Sequence, residues 1–165
     1  MKGITIMKDK TVKSIRWCCY IALGLCTLWG LFWFGSILLS LFGVEDYPIR
    51  WFDWTEYRAY KITVFVGYSL SIAAMIALCV KMIINVLKGL HENTVFPKSN
   101  VSLLLWFVLA DFVYRLAYNN LHILYSELME IHFNHTNLVT PFFLLFFAFR
   151  YKVAADAVEE NSLTI

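Results

Sequence analysis

From Trp17 to Phe42 the chain runs for 26 residues without a charged side chain. A helix needs about 20 apolar residues to cross the hydrocarbon core of a bilayer. No water is present there to satisfy backbone N–H and C=O groups, so a spanning segment is either helical or part of a closed barrel. A secretory leader also has a basic start and an apolar run, but its apolar core is only about 7–15 residues long and ends in small residues. The present run is longer and has no A-x-A exit. It reads as a retained first span, long enough to cross with some tilt.

Composition extends the same argument to the rest of the 165 residues. Apolar residues make up 60% and charged residues 16%, and the mean hydropathy is +0.64. Soluble proteins average roughly 45–50% apolar and about 25% charged. The imbalance excludes a disordered chain, a protein that binds nucleic acid directly and an ordinary soluble enzyme. Three further spans are expected at about 62–87, 101–120 and 138–155. The expected fold is all-α: an integral membrane four-helix bundle with short loops, one domain over 1–165. The last span carries the weakest signal, because Leu138 to Phe149 is only 12 residues, about 18 Å of helix.

The connections carry their own signals. The first loop, Gly43 to Lys61, places Trp51, Trp54, Tyr57 and Tyr60 three residues apart among charges. That pattern fits a short interfacial helix; a ligand-binding aromatic patch is the alternative. Gly89 is expected to end the second helix. Pro97 turns Phe96 away from helix, and Ser99 or Asn100 is placed to cap the third. Beyond Tyr118-Asn119-Asn120, residues Leu121, Ile123, Leu124, Leu128 and Met129 keep a helical spacing. The third helix is therefore expected to continue past the bilayer.

Lysine and arginine near span ends set the threading. With the N-terminus inside, Lys2, Lys8, Lys10, Lys13, Arg16, Lys81, Lys88, Lys98, Arg150 and Lys152 are cytoplasmic. That is ten of fourteen, leaving Arg50, Arg58, Lys61 and Arg115. Both termini are expected in the cytoplasm.

Few residues carry chemistry. Asp111 and Arg115 lie inside the third span, where each costs about 2.5–3.5 kcal/mol on the translocon scale. Four residues apart, acid first, they share one helix face in the favourable orientation. They read equally as a functional intramembrane pair or a structural one. Glu127, Glu130, His132 and His135, with His122 upstream, fall in the loop expected outside the cell. Glu and His are metal ligands, but the spacing matches no metal motif, and a solvated loop is expected. Cys18, Cys19, Cys26 and Cys79 include no CxxC and read as inert packed thiols; acylation of the adjacent pair is a minor alternative. Asn100-Val101-Ser102 and Asn134-His135-Thr136 match the short glycosylation pattern but would fall on opposite sides of the membrane. The sequence has no G-x-S-x-G, P-loop or G-x-G-x-x-G. No enzyme activity, metal or cofactor is expected.

Two stretches resemble a known family. Asn93-Thr94-Val95-Phe96-Pro97-Lys98-Ser99-Asn100-Val101 is similar to an N-G-x-x-F-x-x-E-N-V motif before a third span, with Ser99 in place of the usual acid. Phe149-Arg150 through Glu159-Glu160-Asn161-Ser162-Leu163-Thr164-Ile165 resembles an F-R/K … E-E-N-x-L-T-I ending. Both belong to a group of small four-span bacterial membrane proteins catalogued as domain of unknown function 2975. The resemblance covers the span order of the whole chain, and the tail is its most specific part. It implies a bacterial cytoplasmic (inner) membrane location and no catalytic residue. It also implies a neighbouring helix-turn-helix regulator of the Cro/CI type as a partner, an inference by association. The contact surfaces would be the turn and the tail: Phe96, Pro97, Asn100, Glu160, Asn161, Leu163, Thr164 and Ile165. The expected role is non-enzymatic: signalling, regulation or scaffolding in the lipid bilayer. The rivals are transport or toxin immunity through Asp111 and Arg115, and a membrane enzyme built on the external Glu/His cluster.

Overall fold

In a computed structural model the described residues are 9–42, 56–92, 94, 96–125 and 130–163. They form four long helices: α1 (Asp9–Leu41), α2 (Arg58–Gly89), α3 (Ser99–Asn119) and α4 (Thr136–Leu163). Single 3₁₀ turns, Leu90–Glu92 and Leu121–Leu124, follow α2 and α3. No strand occurs among the described residues. All four helices are long and apolar enough to cross a membrane. The fold is an all-helical bundle, and the chain is a multi-pass membrane protein by the length and composition of its helices.

The helices pack in sequence order, α1 on α2, α2 on α3 and α3 on α4, with the turn after α3 folded back onto α2. Their outer faces are apolar. On α4, Phe142, Phe143, Phe146 and Phe147 are all exposed, while Ala148 and Ala155 are buried. Asn137 and Pro141 are buried on the same side as these alanines. Positions 137, 141, 148 and 155 repeat at helical spacing, so small or compact residues face the neighbour and phenylalanines face outward. Helix association in lipid has little hydrophobic driving force and relies on close packing of small residues and on polar contacts. Hydroxyls on the outer faces are turned inward along their own helix. Thr27 donates to the Leu23 carbonyl at 2.9 Å, Ser36 to Phe32 at 2.9 Å and Thr63 to Ala59 at 2.8 Å.

Several expectations are corrected. Among the described residues the first helix already includes Asp9–Arg16, ahead of the apolar run, because this part of the basic arm contains no helix breaker. The fourth helix is 28 residues, not a marginal span. Its start is fixed by Asn134, whose Oδ1 accepts both the Thr136 N–H, at 3.0 Å, and the Thr136 hydroxyl. Thus Asn134-His135-Thr136 acts here as a helix start. Pro141 falls inside that helix, past its first turn, where its missing N–H leaves the Asn137 carbonyl without its usual i+4 backbone donor.

The third helix does not continue through the helical spacing beyond Asn120. It ends at Asn119, and the apolar residues Ile123 and Leu124 are buried in the 3₁₀ turn that follows. Leu124 joins Phe65 of α2 in an apolar cluster. The stop is made by Asn120. Its Nδ2 donates back to the Leu116 carbonyl at 2.7 Å and across to the His132 carbonyl at 3.0 Å, and its Oδ1 accepts the His132 N–H at 2.7 Å. One amide thus replaces a helix continuation with a strand-like clasp onto the next segment. Of the first-loop aromatics, Tyr57 and Tyr60 are exposed at the start of α2, and Trp51 and Trp54 lie outside the described residues. Leu128 and Met129 also lie outside them.

Candidate functional site

The short segment between α2 and α3 is held in a tight path by its backbone. Gly89 closes α2, and the Thr94 N–H donates to the Gly89 carbonyl at 2.8 Å. A Cβ at position 89 would sit 2.6 Å from the Thr94 carbonyl oxygen. The expected glycine stop is present, and the crowding shows why the side chain must be absent.

Asn100 does not cap α3. Lys98 occupies the cap position, with no side-chain cap bond there. Asn100 is 2% exposed. Its Oδ1 accepts Nδ2 of Asn85 at 2.7 Å, and its own Nδ2 donates to the Met82 carbonyl at 3.0 Å. A buried amide is stable only when its donors and acceptors are used, and facing α2 satisfies both ends. Asn100 is therefore packing inside the bundle, not a partner-contact surface. Its counterpart Asn85 escaped the sequence reading, although an amide inside the apolar run Met82–Leu87 is a recognisable signal for an interhelical hydrogen bond.

Next to this knot, the turn and the C-terminal half of α4 meet. The phenol of Tyr151 donates to the Pro97 carbonyl at 3.2 Å. Phe96 stands edge-on to the Tyr151 ring, with centroids 5.5 Å apart and planes at 72°. The Lys98 ammonium donates to Glu159 Oε2 at 2.6 Å and lies 3.9 Å from Asp156. The hydrogen bond to Glu159 comes first in holding the Lys98 pKa above its ordinary value, with the charges of Glu159 and Asp156 adding to it. A cation at a helix N-terminus opposes the helix dipole, so the two carboxylates also relieve an unfavourable placement. Phe96 and Glu160 are exposed, Pro97 is half-buried, and Asn161 and Leu163 belong to the last turn of α4. Thr164 and Ile165 lie outside the described residues, as do Asn93 and Val95 of the turn.

Asp111 and Arg115 meet as their spacing predicts. Arg115 Nε donates to Asp111 Oδ2 at 2.9 Å, with Asp111 buried and Arg115 partly exposed. The rings of Tyr68, Tyr114 and Tyr118 stack alongside in series, each pair 5.7 Å apart. The charges neutralise each other within one helix face.

At the opposite end, His122 and His132 stack with centroids 4.4 Å apart. Nδ1 of His122 faces the Asn119 carbonyl at 3.2 Å and Nε2 faces the Glu130 carbonyl at 2.8 Å. His132 Nε2 is 3.6 Å from the Glu130 carboxylate. Both nitrogens of His122 are thus directed at backbone oxygens. His135 is exposed. Among the described residues, no three His, Cys, Asp or Glu side chains are grouped to hold a metal ion; Glu127 lies outside them. Around Asn119 the amides continue: its Nδ2 donates to Oδ1 of the fully buried Asn137.

Among the described residues, the α2–α3 turn and the end of α4 form one composite polar face. No family model, no curated relative and no solved structure matches this sequence.

Proposed function

We propose that the protein is a non-enzymatic membrane protein of a bacterial cytoplasmic membrane, with a signalling, regulatory or scaffold role. Both termini are cytoplasmic, and the turn–tail face engages a soluble helix-turn-helix regulator of the Cro/CI type. One observation carries this reading: Lys98 bonds Glu159 and lies beside Asp156. It unites the two segments that carry the family-like motifs. The ten cationic residues assigned to the inside by the charge rule include this end, which agrees with a face turned toward the cytoplasm. A mixed-charge face with one exposed aromatic, Phe96, has the make-up of a modest, specific protein contact.

Co-purification with the regulator encoded beside this protein tests the reading. The full chain should retain the regulator, and deletion of residues 159–165 or the exchange Phe96→Ala should release it. Regulator output that ignores the deletion would remove the proposal. The transport and immunity reading gains no support from the geometry, since Asp111 and Arg115 are already paired with each other.

A further inference from the structure

Lys10, Lys13, Lys81, Lys88, Lys98 and Lys152 are exposed. Lys61, near the start of α2, is 7% exposed. A lysine near the end of a spanning helix ordinarily buries its stem and holds its ammonium in water. Here little of the side chain reaches water. Among the described residues no carboxylate pairs with its ammonium, the exposed Glu56 included. One turn along α2, Phe65 belongs to an apolar cluster with Leu124, Ile37 and Leu121, whose side chains offer no acceptor. A buried charge without a partner is costly, so this end of α2 is complete only with an anion. The ammonium can be reached. Among the described residues the fully enclosed, unpartnered side-chain atoms are Ser69 Oγ and Asn137 Nδ2, and Lys61 Nζ is not one of them.

The helix terminus adds positive charge at the same place. Tyr57 holds the cap position without a side-chain cap bond, and the first turn contains no acid. The N–H groups of Tyr60 and Lys61 turn back to the Tyr57 carbonyl at 2.9 and 3.1 Å. Those of Arg58 and Ala59 remain for a ligand, at the positive end of the helix dipole. Side chains on a helix lean toward its N-terminus, so the Lys61 stem runs toward these N–H groups. Arg58, three residues earlier, lies on the same helix face and is exposed. Two cations at a helix N-terminus oppose the dipole unless an anion joins them.

The depth of the site selects the anion. The apolar run of α2 begins at Ile62, so Arg58 and Lys61 stand at head-group level, where phospholipid phosphates lie. A guanidinium binds phosphate through paired N–H groups. The two cations and the helix dipole favour a lipid with net negative charge.

We propose that the N-terminus of α2, with Arg58 and Lys61, binds the phosphate of an anionic phospholipid head group. The acyl chains lie along the apolar outer faces of the bundle. The site is at the other end of α2 from the turn–tail face and is independent of the function proposed for that face.

Native mass spectrometry of the full chain, released from detergent micelles and titrated with phosphatidylglycerol, tests it. One lipid per chain should be retained. Phosphatidylcholine, and diacylglycerol without its phosphate, should be retained about tenfold less, the equivalent of one charge-assisted hydrogen bond. Lys61→Gln should weaken phosphatidylglycerol binding by a similar factor of about ten, and Lys61→Arg should restore most of it. Arg58→Gln, at an exposed position that the fold tolerates, should cost about threefold. Lys152→Gln, which removes an exposed cation of α4, should leave the affinity unchanged. Gel-filtration profiles identical to the parent protein establish that the variants fold. Equal retention of phosphatidylcholine or diacylglycerol, or affinity unchanged in both Lys61→Gln and Arg58→Gln, would overturn the proposal. Competition by inorganic phosphate at concentrations matching the lipid would assign the site to a soluble anion and overturn it as well.

Discussion

Asn85 of α2 and Asn100 of α3 are joined amide to amide, Nδ2 to Oδ1 at 2.7 Å, and Asn100 returns a second bond to the Met82 carbonyl. The pair fixes the register of two helices whose other contacts are largely apolar and would tolerate sliding. Interhelical hydrogen bonds in membranes average about 0.6 kcal/mol, reaching about 1.7. Asn100→Leu should destabilise the bundle by about 1–2 kcal/mol, because it also strands the Asn85 amide. Asn85→Leu together with Asn100→Leu should recover part of that loss. Unfolding in mixed detergent micelles, arranged as a double-mutant cycle, measures the coupling.

The Lys98 link between turn and tail should depend on pH and salt. Its pKa is raised in the folded protein by Glu159 first. The link is therefore fully present below lysine's ordinary value of about 10.4, and it is lost as pH rises through the raised value. Because the ammonium is exposed, salt screens it and its contribution to stability is small. Spin labels at Thr94 and Glu160 should give a narrow distance distribution at neutral pH and low salt. The distribution should broaden in Lys98→Gln and in strongly alkaline buffer.

Gly89→Ala should disrupt the turn. The added methyl meets the Thr94 carbonyl oxygen at 2.6 Å and the Pro97 ring at 3.2 Å. A clash against backbone cannot be relieved by rotating a side chain, and a cost of about 1–3 kcal/mol is expected. Faster proteolysis within residues 90–98 than in the parent protein is the readout.

Removing one charge from α3 should be worse than removing both. Asp111→Leu leaves Arg115 unpaired inside a span, where insertion costs about 2.5–3.5 kcal/mol. Asp111→Leu with Arg115→Leu removes the pair and should insert and express close to the parent level. If the double variant also keeps its cellular phenotype, the pair is structural.

The threading is tested by alkaline phosphatase fusions. Fusions after Asp53 and after His132 should be active, and fusions after His91 should be inactive. The opposite pattern would place the turn–tail face outside the cell and remove the cytoplasmic partner with it.

The sequence by itself determined the class of this protein. Uncharged runs of membrane length, short connections and the crowding of cations near span ends are local properties, and the number of helices follows from them. It also placed Asp111 against Arg115, because partners four residues apart on one helix meet whatever the surroundings. Tertiary structure decided the contacts between helices. Asn100 carries the sequence signature of a cap, yet α2 presents Asn85 and the Met82 carbonyl as better partners, and the side chain turns inward. Asn120 stops α3 in spite of the helical spacing beyond it, because the His132 backbone supplies both a donor and an acceptor. Asn137 is wholly buried although nothing in its neighbours marks it as core. In each case the amide was readable as polar, but its partner lies on another helix, and a one-dimensional pattern holds no record of which faces meet. Lipid makes that uncertainty sharper: every outer face is apolar too, so hydrophobicity marks the helices without saying which side of each is packed.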